Sequence, residues 1–345
     1  MMKPILVLKI GTASITKDNG DLDQVTMVDI VRQLAIIHHQ YRIVIVSSGA
    51  VGTGKNLLKN YSGKITERKA AAAIGNPLLL NKYAQFFAPY DMAIAQSLCE
   101  RQHFSNPTQF NQLRETFEEL WANDIIPIAN ENDVVSNLEL KFSDNDELAT
   151  LIAVGFGASN LLFGTSVPGL MDQDNKIIRR IDKIDEQILS LAHKERSSMG
   201  LGGMVSKLTF ARLATRMGIK TTIFGVKTEN GILKALEDHT GTLFDPQKDI
   251  SPDVRTKWLS SGNLVTGKVQ IAGEGVTDLL KSTSLRVISV TKIIENFEKG
   301  EIFEIQNGQG NSLAVARASI SSKEIIEKIK DNTFEIASGP DIVML

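Results

Sequence analysis

The amino-acid sequence predicts an α/β fold, a three-layer sandwich with a largely parallel central sheet, followed by a small, mostly-β domain. Short apolar runs alternate with helical segments through the first 250 residues, as in a parallel sheet covered by helices on both faces. After Asp253, short segments are separated by glycine-rich turns, which is typical of a β domain. We therefore expect one domain at residues 1–250 and a second at 257–335.

Each predicted strand is an apolar run that stops at a glycine or a polar turn. The predicted strands are Ile5–Ile10, Arg42–Val46, Ile125–Ala129, Asn160–Phe163 and Lys220–Phe224. The predicted helices between them include Lys69–Ile74, Gln109–Asn123, Asp146–Phe156 and Met204–Met217. A further helix is expected to begin at Asn76-Pro77, because asparagine is a good cap and proline suits the first helical turn.

Composition excludes several classes of protein. The chain has 42% hydrophobic and 23% charged residues and a formal net charge of -2, so no strong positive field attracts nucleic acid. The single cysteine, Cys99, excludes an internal disulfide framework and is interpreted as a buried apolar side chain. No signal or membrane segment is recognised, so a cytoplasmic location is expected. The five histidines show no metal-ligand spacing.

Two lysines lie beside glycine-rich turns. Lys9 closes the first predicted strand next to Gly11, and a lysine that ends an apolar strand either meets an anion or extends to solvent. The run Met199–Lys207 is rich in glycine and leads directly into a helix. Backbone N–H groups at such a helix start form a natural phosphate site, so a phosphate-binding loop is favoured over a flexible linker.

A second glycine run imitates a nucleotide-binding loop. Residues from Gly49 to Lys55 fit the pattern G-x-x-x-x-G-K, but Asn56 replaces the Ser or Thr that would bind magnesium. Glycines at 52 and 54 also make a poor start for a helix. The P-loop interpretation is therefore rejected.

Two clusters of acidic and amide side chains form the densest polar group in the chain. Asn130–Asp133 follow a predicted strand, and Asp144–Glu147 begin a predicted helix. One such residue is needed as a helix cap, but two clusters exceed that need. A free amino acid offers an ammonium, which a carboxylate binds, and carboxylates, which amides and hydroxyls bind. With Ser48, these clusters indicate an amino-acid site.

Together these features favour transfer of the γ-phosphate of ATP to the side-chain carboxylate of a small amino acid. The reaction joins two anions, so it depends on positioning and charge neutralisation. Lys9 and Lys207 are expected to flank the phosphoryl group, and Asp146 to align both lysines. Mg²⁺ is expected to bridge the ATP phosphates. A carboxylate acceptor is already ionised at neutral pH, so no general base is required.

Five segments, in order and spacing, resemble the glutamate 5-kinase branch of the amino acid kinase family. They are Val7–Thr12, Val46–Ala50, Pro127–Asp133, Ser143–Asp146 and Gly202–Lys207. The C-terminal segment resembles a PUA domain. The resemblance implies phosphorylation of L-glutamate to γ-glutamyl 5-phosphate, the first step of proline synthesis, with ATP and Mg²⁺. It also implies feedback inhibition by proline and a homo-oligomer, either a dimer or a tetramer.

The resemblance also implies a role for each matching residue. The catalytic residues are Lys9, Lys207 and Asp146. The acceptor-binding residues are Ser48, Gly49, Asn130, Asp133 and Asn145. The nucleotide-binding residues are Lys9, Gly11, Thr165, Ser166, Leu201, Gly202, Gly203, Met204 and Lys207. Ser166 and Leu201 depart from the usual Asp and Thr of the family, as do Ser143 from a common glycine and Asn175 from a common proline.

Two other interpretations are compatible with parts of the sequence. The same fold could act on N-acetylglutamate, aspartate, carbamate or UMP, which the asparagine-rich acceptor segment argues against. Alternatively, the chain is a non-catalytic regulator whose PUA-like segment is the working part. Residues 251–345 carry nearly equal numbers of basic and acidic side chains, so the positive surface that nucleic acid requires is not expected.

Overall fold

The structure is a computed structural model of the chain. It describes residues 2–17, 21–100, 102–105, 107–135, 145–185, 187–188, 191, 203–246, 265–273, 275–277, 279, 284–297, 299, 302–310, 312–328, 334–338 and 342–344. The chain divides into two compact units, Met1–Ile250 and Ser251–Leu345. Each unit has its own sheet and its own apolar core.

An eight-stranded sheet forms the centre of the first unit. Its strands are β1 (Ile5–Ile10), β2 (Arg42–Ser47), β3 (Ile94–Cys99), β4 (Ile126–Glu131), β5 (Asn160–Thr165), β6 (Arg180–Ile181), β7 (Lys220–Gly225) and β8 (Thr242–Phe244). They lie in the order β3-β4-β2-β1-β5-β7-β8-β6. Only the β7–β8 pair is antiparallel among the strand pairs of the described sheet. The predicted α/β fold with a largely parallel sheet is confirmed.

Helices cover both faces of this sheet. They are α1 (Thr12–Ile15), α2 (Gln24–Ile37), α3 (Ala50–Lys55), α4 (Ile65–Phe87), α5 (Gln102–Ser105), α6 (Pro107–Ala122), α7 (Asn145–Phe156), α8 (Gly203–Arg216) and α9 (Gly231–Leu236). Helices α2, α4 and α9 enclose one core with the sheet, while α7 packs on the sheet and on α8 on the other side. All six residues of β1 are buried, because parallel strands are covered on both faces.

The prediction that a new helix begins at Asn76-Pro77 is wrong. Helix α4 runs without interruption through Pro77, although an internal proline costs about 3 kcal/mol. Beyond the proline, Leu79, Tyr83 and Phe87 recur on one helix face and are at most 4% exposed. Burial of three large apolar side chains outweighs the cost of the proline, since each contributes about 1.5–3 kcal/mol.

Glycines allow α3 and α4 to pack backbone against backbone. A Cβ at Gly54 would lie 1.9 Å from the carbonyl oxygen of Ala71, and a Cβ at Gly75 would lie 1.7 Å from that of Ala50. No side chain fits at either position. Close packing of α3 on α4 therefore explains why residue 54 is a glycine. The glycine-containing run that resembles a P-loop forms helix α3.

The second unit is built mainly from strands. A five-stranded sheet has the order β11-β9-β12-β13-β15, and β10 pairs with β14. The strands are β9 (Val265–Ile271), β10 (Leu285–Arg286), β11 (Val290–Glu295), β12 (Ile302–Gln306), β13 (Ser312–Arg317), β14 (Glu335–Ala337) and β15 (Ile342–Met344), with helix α10 at Ser322–Glu327. Phe297 and Phe303 stack at 4.5 Å within its core. The predicted β-rich C-terminal region is confirmed.

Within the part of the chain that the structure describes, no helix is both long and apolar enough to cross a bilayer.

Candidate active site

Lys9, Asp146 and Lys207 come from three separate segments and meet near the carboxyl ends of the central strands. Lys9 belongs to β1, Asp146 to the first turn of α7, and Lys207 to the second turn of α8. The Nζ atom of Lys9 lies 2.6 Å from Asp146 Oδ1, and that of Lys207 lies 3.1 Å from Asp146 Oδ2. Lys207 Nζ also donates to the carbonyl of Gly203 at 3.1 Å. The structure thus brings together the three residues predicted for the chemical centre.

Strand alternation explains why a lysine can stand at this point of β1. Leu6, Leu8 and Ile10 enter the core that α2, α4 and α9 share with the sheet. Because side chains alternate along a strand, Lys9 points to the opposite face, where α7 packs. There it meets the carboxylate of Asp146.

The three charges are almost completely buried. The side chains of Lys9, Asp146 and Lys207 are 6%, 1% and 11% exposed. Burial raises the pKa of Asp146, but the two ammonium groups outweigh burial and hold its pKa below the usual value. The start of α7 also favours a negative charge. Two cations share one carboxylate, so the cluster suits an additional anion.

Amide side chains form a hydrogen-bonded network beside these charges. Asn145 Nδ2 donates to Ser48 Oγ and to Asn130 Oδ1, both at 2.9 Å. Asn130 Oδ1 also accepts the backbone N–H of Glu131 at 3.0 Å, and Asn130 Nδ2 donates to Asn76 Oδ1 at 2.9 Å. Asn145 immediately precedes Asp146, so the neutral network and the charged cluster are adjacent.

Two other predicted acceptor residues lie in the turns that follow β2 and β4. Gly49 has φ +112°, a left-handed conformation that favours glycine, and it connects Ser48 to α3. Asp133 lies half-buried in the turn three residues after Asn130. Asp144 lies outside the described residues.

The adjacent strands β1 and β5 place three predicted residues close to one another: Gly11 follows β1, Thr165 ends β5, and Ser166 comes directly after it. The backbone N–H of Gly11 donates to the carbonyl of Gly164 at 3.3 Å. Thr165 Oγ1 accepts the N–H of Val167 at 2.9 Å, which stabilises a tight turn, and Ser166 is exposed. The predicted nucleotide-side residues of this region therefore stand at the same sheet edge as Lys9.

The glycine-rich run is described from Gly203 onward. Gly203 begins α8 and is exposed, and Met204 is half-buried. Among the described residues, nothing lies within 4 Å of a Cβ built on Gly203. Leu201 and Gly202 lie outside the described residues.

Asn76 joins the amide network although sequence analysis assigned it to a helix cap. It sits in the interior of α4 and is only 6% exposed. Asparagine is unfavourable within a helix, and a buried amide needs polar partners. The Asn-Pro pair suits a helix start equally well, so no local signal in the sequence identifies this role of Asn76.

Cys99 is the buried apolar side chain that its isolation predicted. It is fully buried, and burial raises the pKa of its thiol to about 11. The thiol is therefore protonated at neutral pH and is not a nucleophile.

Comparison with known proteins agrees with this architecture. A family model described as "Amino acid kinase family" matches residues 4–225, and one described as "PUA domain" matches residues 267–339. The chain is 34% identical to a glutamate 5-kinase from Pasteurella multocida (strain Pm70), over 92% of this chain and 89% of the relative. It is 32% identical to a glutamate 5-kinase from Haemophilus influenzae (strain PittGG), over 98% and 95%.

A solved structure shows the same fold. Carbamate kinase from Giardia lamblia bound to AMP-PNP superposes with a TM-score of 0.51, covering 71% of this chain and 99% of that one. Sequence identity is 17%, so this likeness concerns the fold alone. With the family match and the near full-length relatives, the chain belongs to the amino acid kinase family, in its glutamate 5-kinase branch, and carries a PUA domain.

Proposed function

We propose that this chain transfers the γ-phosphate of ATP to the side-chain carboxylate of L-glutamate, the first step of proline biosynthesis. An oxygen of the carboxylate bonds to the γ-phosphorus while the bond from that phosphorus to ADP breaks. The products are γ-glutamyl 5-phosphate and ADP. The observation that carries the proposal is the pair of ammonium groups on Asp146, which lie directly beside a network suited to an amino acid.

Lys9 and Lys207 neutralise the phosphoryl group as it moves between two anions. Charge spreads over the phosphoryl oxygens in the transition state, and fixed cations in a buried site stabilise it strongly. Asp146 holds both ammonium groups in line through its two oxygens. Neither lysine has to transfer a proton, because the attacking carboxylate is already ionised.

The proposed acceptor-binding residues are Ser48, Gly49, Asn130, Asp133 and Asn145. The amides and the hydroxyl suit the carboxylates of glutamate, and the carboxylate of Asp133 suits its ammonium. The network fixes the amides before the substrate arrives, which lowers the entropy cost of binding.

ATP binds on the other side of the charged cluster. Its proposed contacts include the backbone of the glycine-rich run and the start of α8, where N–H groups favour phosphate. The residues are Lys9, Gly11, Thr165, Ser166, Leu201, Gly202, Gly203, Met204 and Lys207. The departures at Ser166 and Leu201 fall on this side, so nucleotide affinity is where this chain is expected to differ from its relatives.

Mg²⁺ is proposed to be held mainly by ATP. Both oxygens of Asp146 are bound by lysines. Across the described ranges, no group of three or more His, Cys, Asp or Glu side chains is placed to hold a metal ion. The phosphate oxygens and water are therefore its expected ligands, where its charge offsets that of the phosphates.

Trapping the acyl phosphate tests the proposal. Protein, ATP, Mg²⁺, L-glutamate and hydroxylamine should yield γ-glutamyl hydroxamate, with ADP formed in equal amount. Parallel reactions with N-acetylglutamate, aspartate, carbamate and UMP test the acceptor. No hydroxamate across a range of nucleotide and Mg²⁺ concentrations, or faster turnover of another acceptor, would contradict the proposed reaction.

We also propose a cytoplasmic homo-oligomer, a dimer or a tetramer, that proline inhibits. Sedimentation velocity measures the assembly, and the hydroxamate assay with added L-proline measures the inhibition. The second domain is not proposed to bind RNA. Its basic and acidic side chains are nearly equal in number, so it lacks the excess of positive charge that binds phosphate backbones.

A further inference from the structure

The amide network beside the charged cluster has a fixed hydrogen-bond polarity. The backbone N–H of Glu131 donates to Asn130 Oδ1 at 3.0 Å, and a backbone N–H can only donate. Asn130 Oδ1 is therefore an acceptor, and its Nδ2 must donate, which it does to Asn76 Oδ1 at 2.9 Å. This bond in turn fixes the Nδ2 group of Asn76 as an open donor of the network, while the buried Oδ1 of Asn145 is an open acceptor within the described residues.

The Nδ2 group of Asn76 is buried and has no hydrogen-bond partner within the described part of the chain. Asn76 as a whole is 6% exposed. A buried amide donor without a partner is rare and destabilising in a folded protein. Its position, one hydrogen bond from Asn130, indicates a donor provided for a ligand.

Packing of α4 explains how Asn76 reaches the network. The residue before it, Gly75, lies against α3 so closely that a Cβ would be 1.7 Å from the carbonyl oxygen of Ala50. Helix α3 starts directly after Ser48 and Gly49. The missing side chain at Gly75 thus lets α4 approach the turn that carries Ser48, and it brings Asn76 with it.

We propose that Asn76 is a further acceptor-binding residue, whose Nδ2 group donates to the α-carboxylate of the bound amino acid. The α-carboxylate is assigned because Asn145, next to Asp146, marks the reacting end of the network. Asn76 is two hydrogen bonds away from Asn145. This inference rests on the proposed function, since it concerns the same acceptor.

Two ligands distinguish a direct contact between Asn76 and the α-carboxylate from a merely structural role of Asn76. L-glutamate and 4-aminobutyrate share the amine and the reacting carboxylate, but 4-aminobutyrate lacks the α-carboxylate. Asn76→Asp keeps an oxygen for Asn130 Nδ2 and replaces the free donor by a second oxygen. Asn76→Ala removes both groups. Asn81, exposed on the same helix, provides the matched controls Asn81→Asp and Asn81→Ala.

Binding of both ligands is measured by calorimetry, and the KM for glutamate by the hydroxamate assay. Both Asn76 variants are expected to weaken glutamate about tenfold to a hundredfold, with a smaller change for 4-aminobutyrate and for the KM of ATP. The Asn81 controls should match the unmodified chain, and thermal unfolding checks that each variant is folded.

Three results would overturn the assignment: normal glutamate binding by Asn76→Asp, normal glutamate binding by Asn76→Ala, or equal losses for both ligands. If the unmodified chain forms no γ-glutamyl hydroxamate, the proposed function fails instead. Glutamate binding by calorimetry still reports on Asn76 in that case, so the two failures are distinguishable.

Discussion

The two units of the chain each bury a lysine beside carboxylates, but they divide the charges in opposite ways. In the first unit, Lys9 and Lys207 share the single carboxylate of Asp146. In the second unit, the ammonium of Lys268 lies between two carboxylates, 3.5 Å from Glu295 and 3.9 Å from Glu304. Among the described ion pairs, two cations share one anion in the first cluster, and one cation pairs with two anions in the second.

This ratio decides what each cluster can bind. An ammonium has three donors, so two lysines on one carboxylate keep donors for a phosphoryl oxygen. In the second cluster, the ammonium of Lys268 is already paired with two carboxylates, an arrangement that does not favour phosphate. Lys268 also pairs with Glu304 across neighbouring strands of the sheet, an arrangement that stabilises strands. We therefore expect phosphate chemistry at the first cluster, where the described cations outnumber the anions, and not at the second.

The largest expected effect comes from removing one cation of the first cluster. Lys207→Ala should lower kcat about 1,000-fold or more, because a fixed positive charge on the phosphoryl group is lost. Stability should change little, since Asp146 keeps Lys9 at 2.6 Å. The hydroxamate assay measures kcat, and urea denaturation measures the free energy of unfolding.

Lys227→Ala is the matched control for this change. Lys227 is 57% exposed and pairs with Asp23 at the surface, where an ion pair contributes at most about 1 kcal/mol. Its kcat should equal that of the unmodified chain. Near-normal turnover by Lys207→Ala would remove Lys207 from the mechanism. The functional difference that we expect between the two lysine clusters would then be contradicted.

The next effect comes from removing the shared anion. Asp146→Asn leaves two buried ammonium groups without their carboxylate, so the free energy of unfolding should fall by about 3 kcal/mol at pH 7. Turnover should fall as well, because the lysines lose their alignment. Asp238→Asn, at an exposed carboxylate that pairs with Lys220, should change stability by less than about 1 kcal/mol.

The stability difference between the unmodified chain and Asp146→Asn should depend on pH. The pKa of Asp146 is lowered in the folded protein from its usual value of 3.8. A carboxyl group whose pKa is lower in the folded than in the unfolded protein stabilises the folded state fully at pH values above the unfolded pKa. This stabilisation is lost as the pH falls through the folded pKa. The difference should therefore be constant at neutral pH and shrink below pH 3.8. A difference that grows in acid would contradict this assignment.

The sheet was largely predictable because its central strands are buried on both faces. Such strands contain short apolar runs, as at residues 5–8 of β1 and 161–163 of β5. Strand β3 escaped prediction because it is an edge strand whose sequence includes the polar residues Gln96 and Ser97. Its period-2 pattern is weak, and only pairing with β4 identifies it.

The candidate site was predictable only in part. Lys9 and Lys207 stand out locally, since each is a cation within a few residues of a glycine turn. The Asn-Pro pair at 76 and 77 gives the same local signal for a helix start as for a helix interior. What decides between them is the contact between Gly75 and the backbone of α3, a tertiary interaction that no local pattern reveals.

The smallest expected effect on turnover comes from a substitution in the Lys268 cluster of the second unit. Lys268→Met removes the cation beside Glu304, which is 5% exposed, so the unfolding of this unit should become easier by about 1–2 kcal/mol. The kcat should stay within about twofold, because this cluster is not suited to a phosphoryl group. Adding Glu304→Gln should restore part of the stability, since it removes the charge that Lys268 offsets. Thermal scans that resolve the two units measure these changes. A loss of kcat close to that of Lys207→Ala would mean that the charge ratio does not separate a catalytic cluster from a structural one.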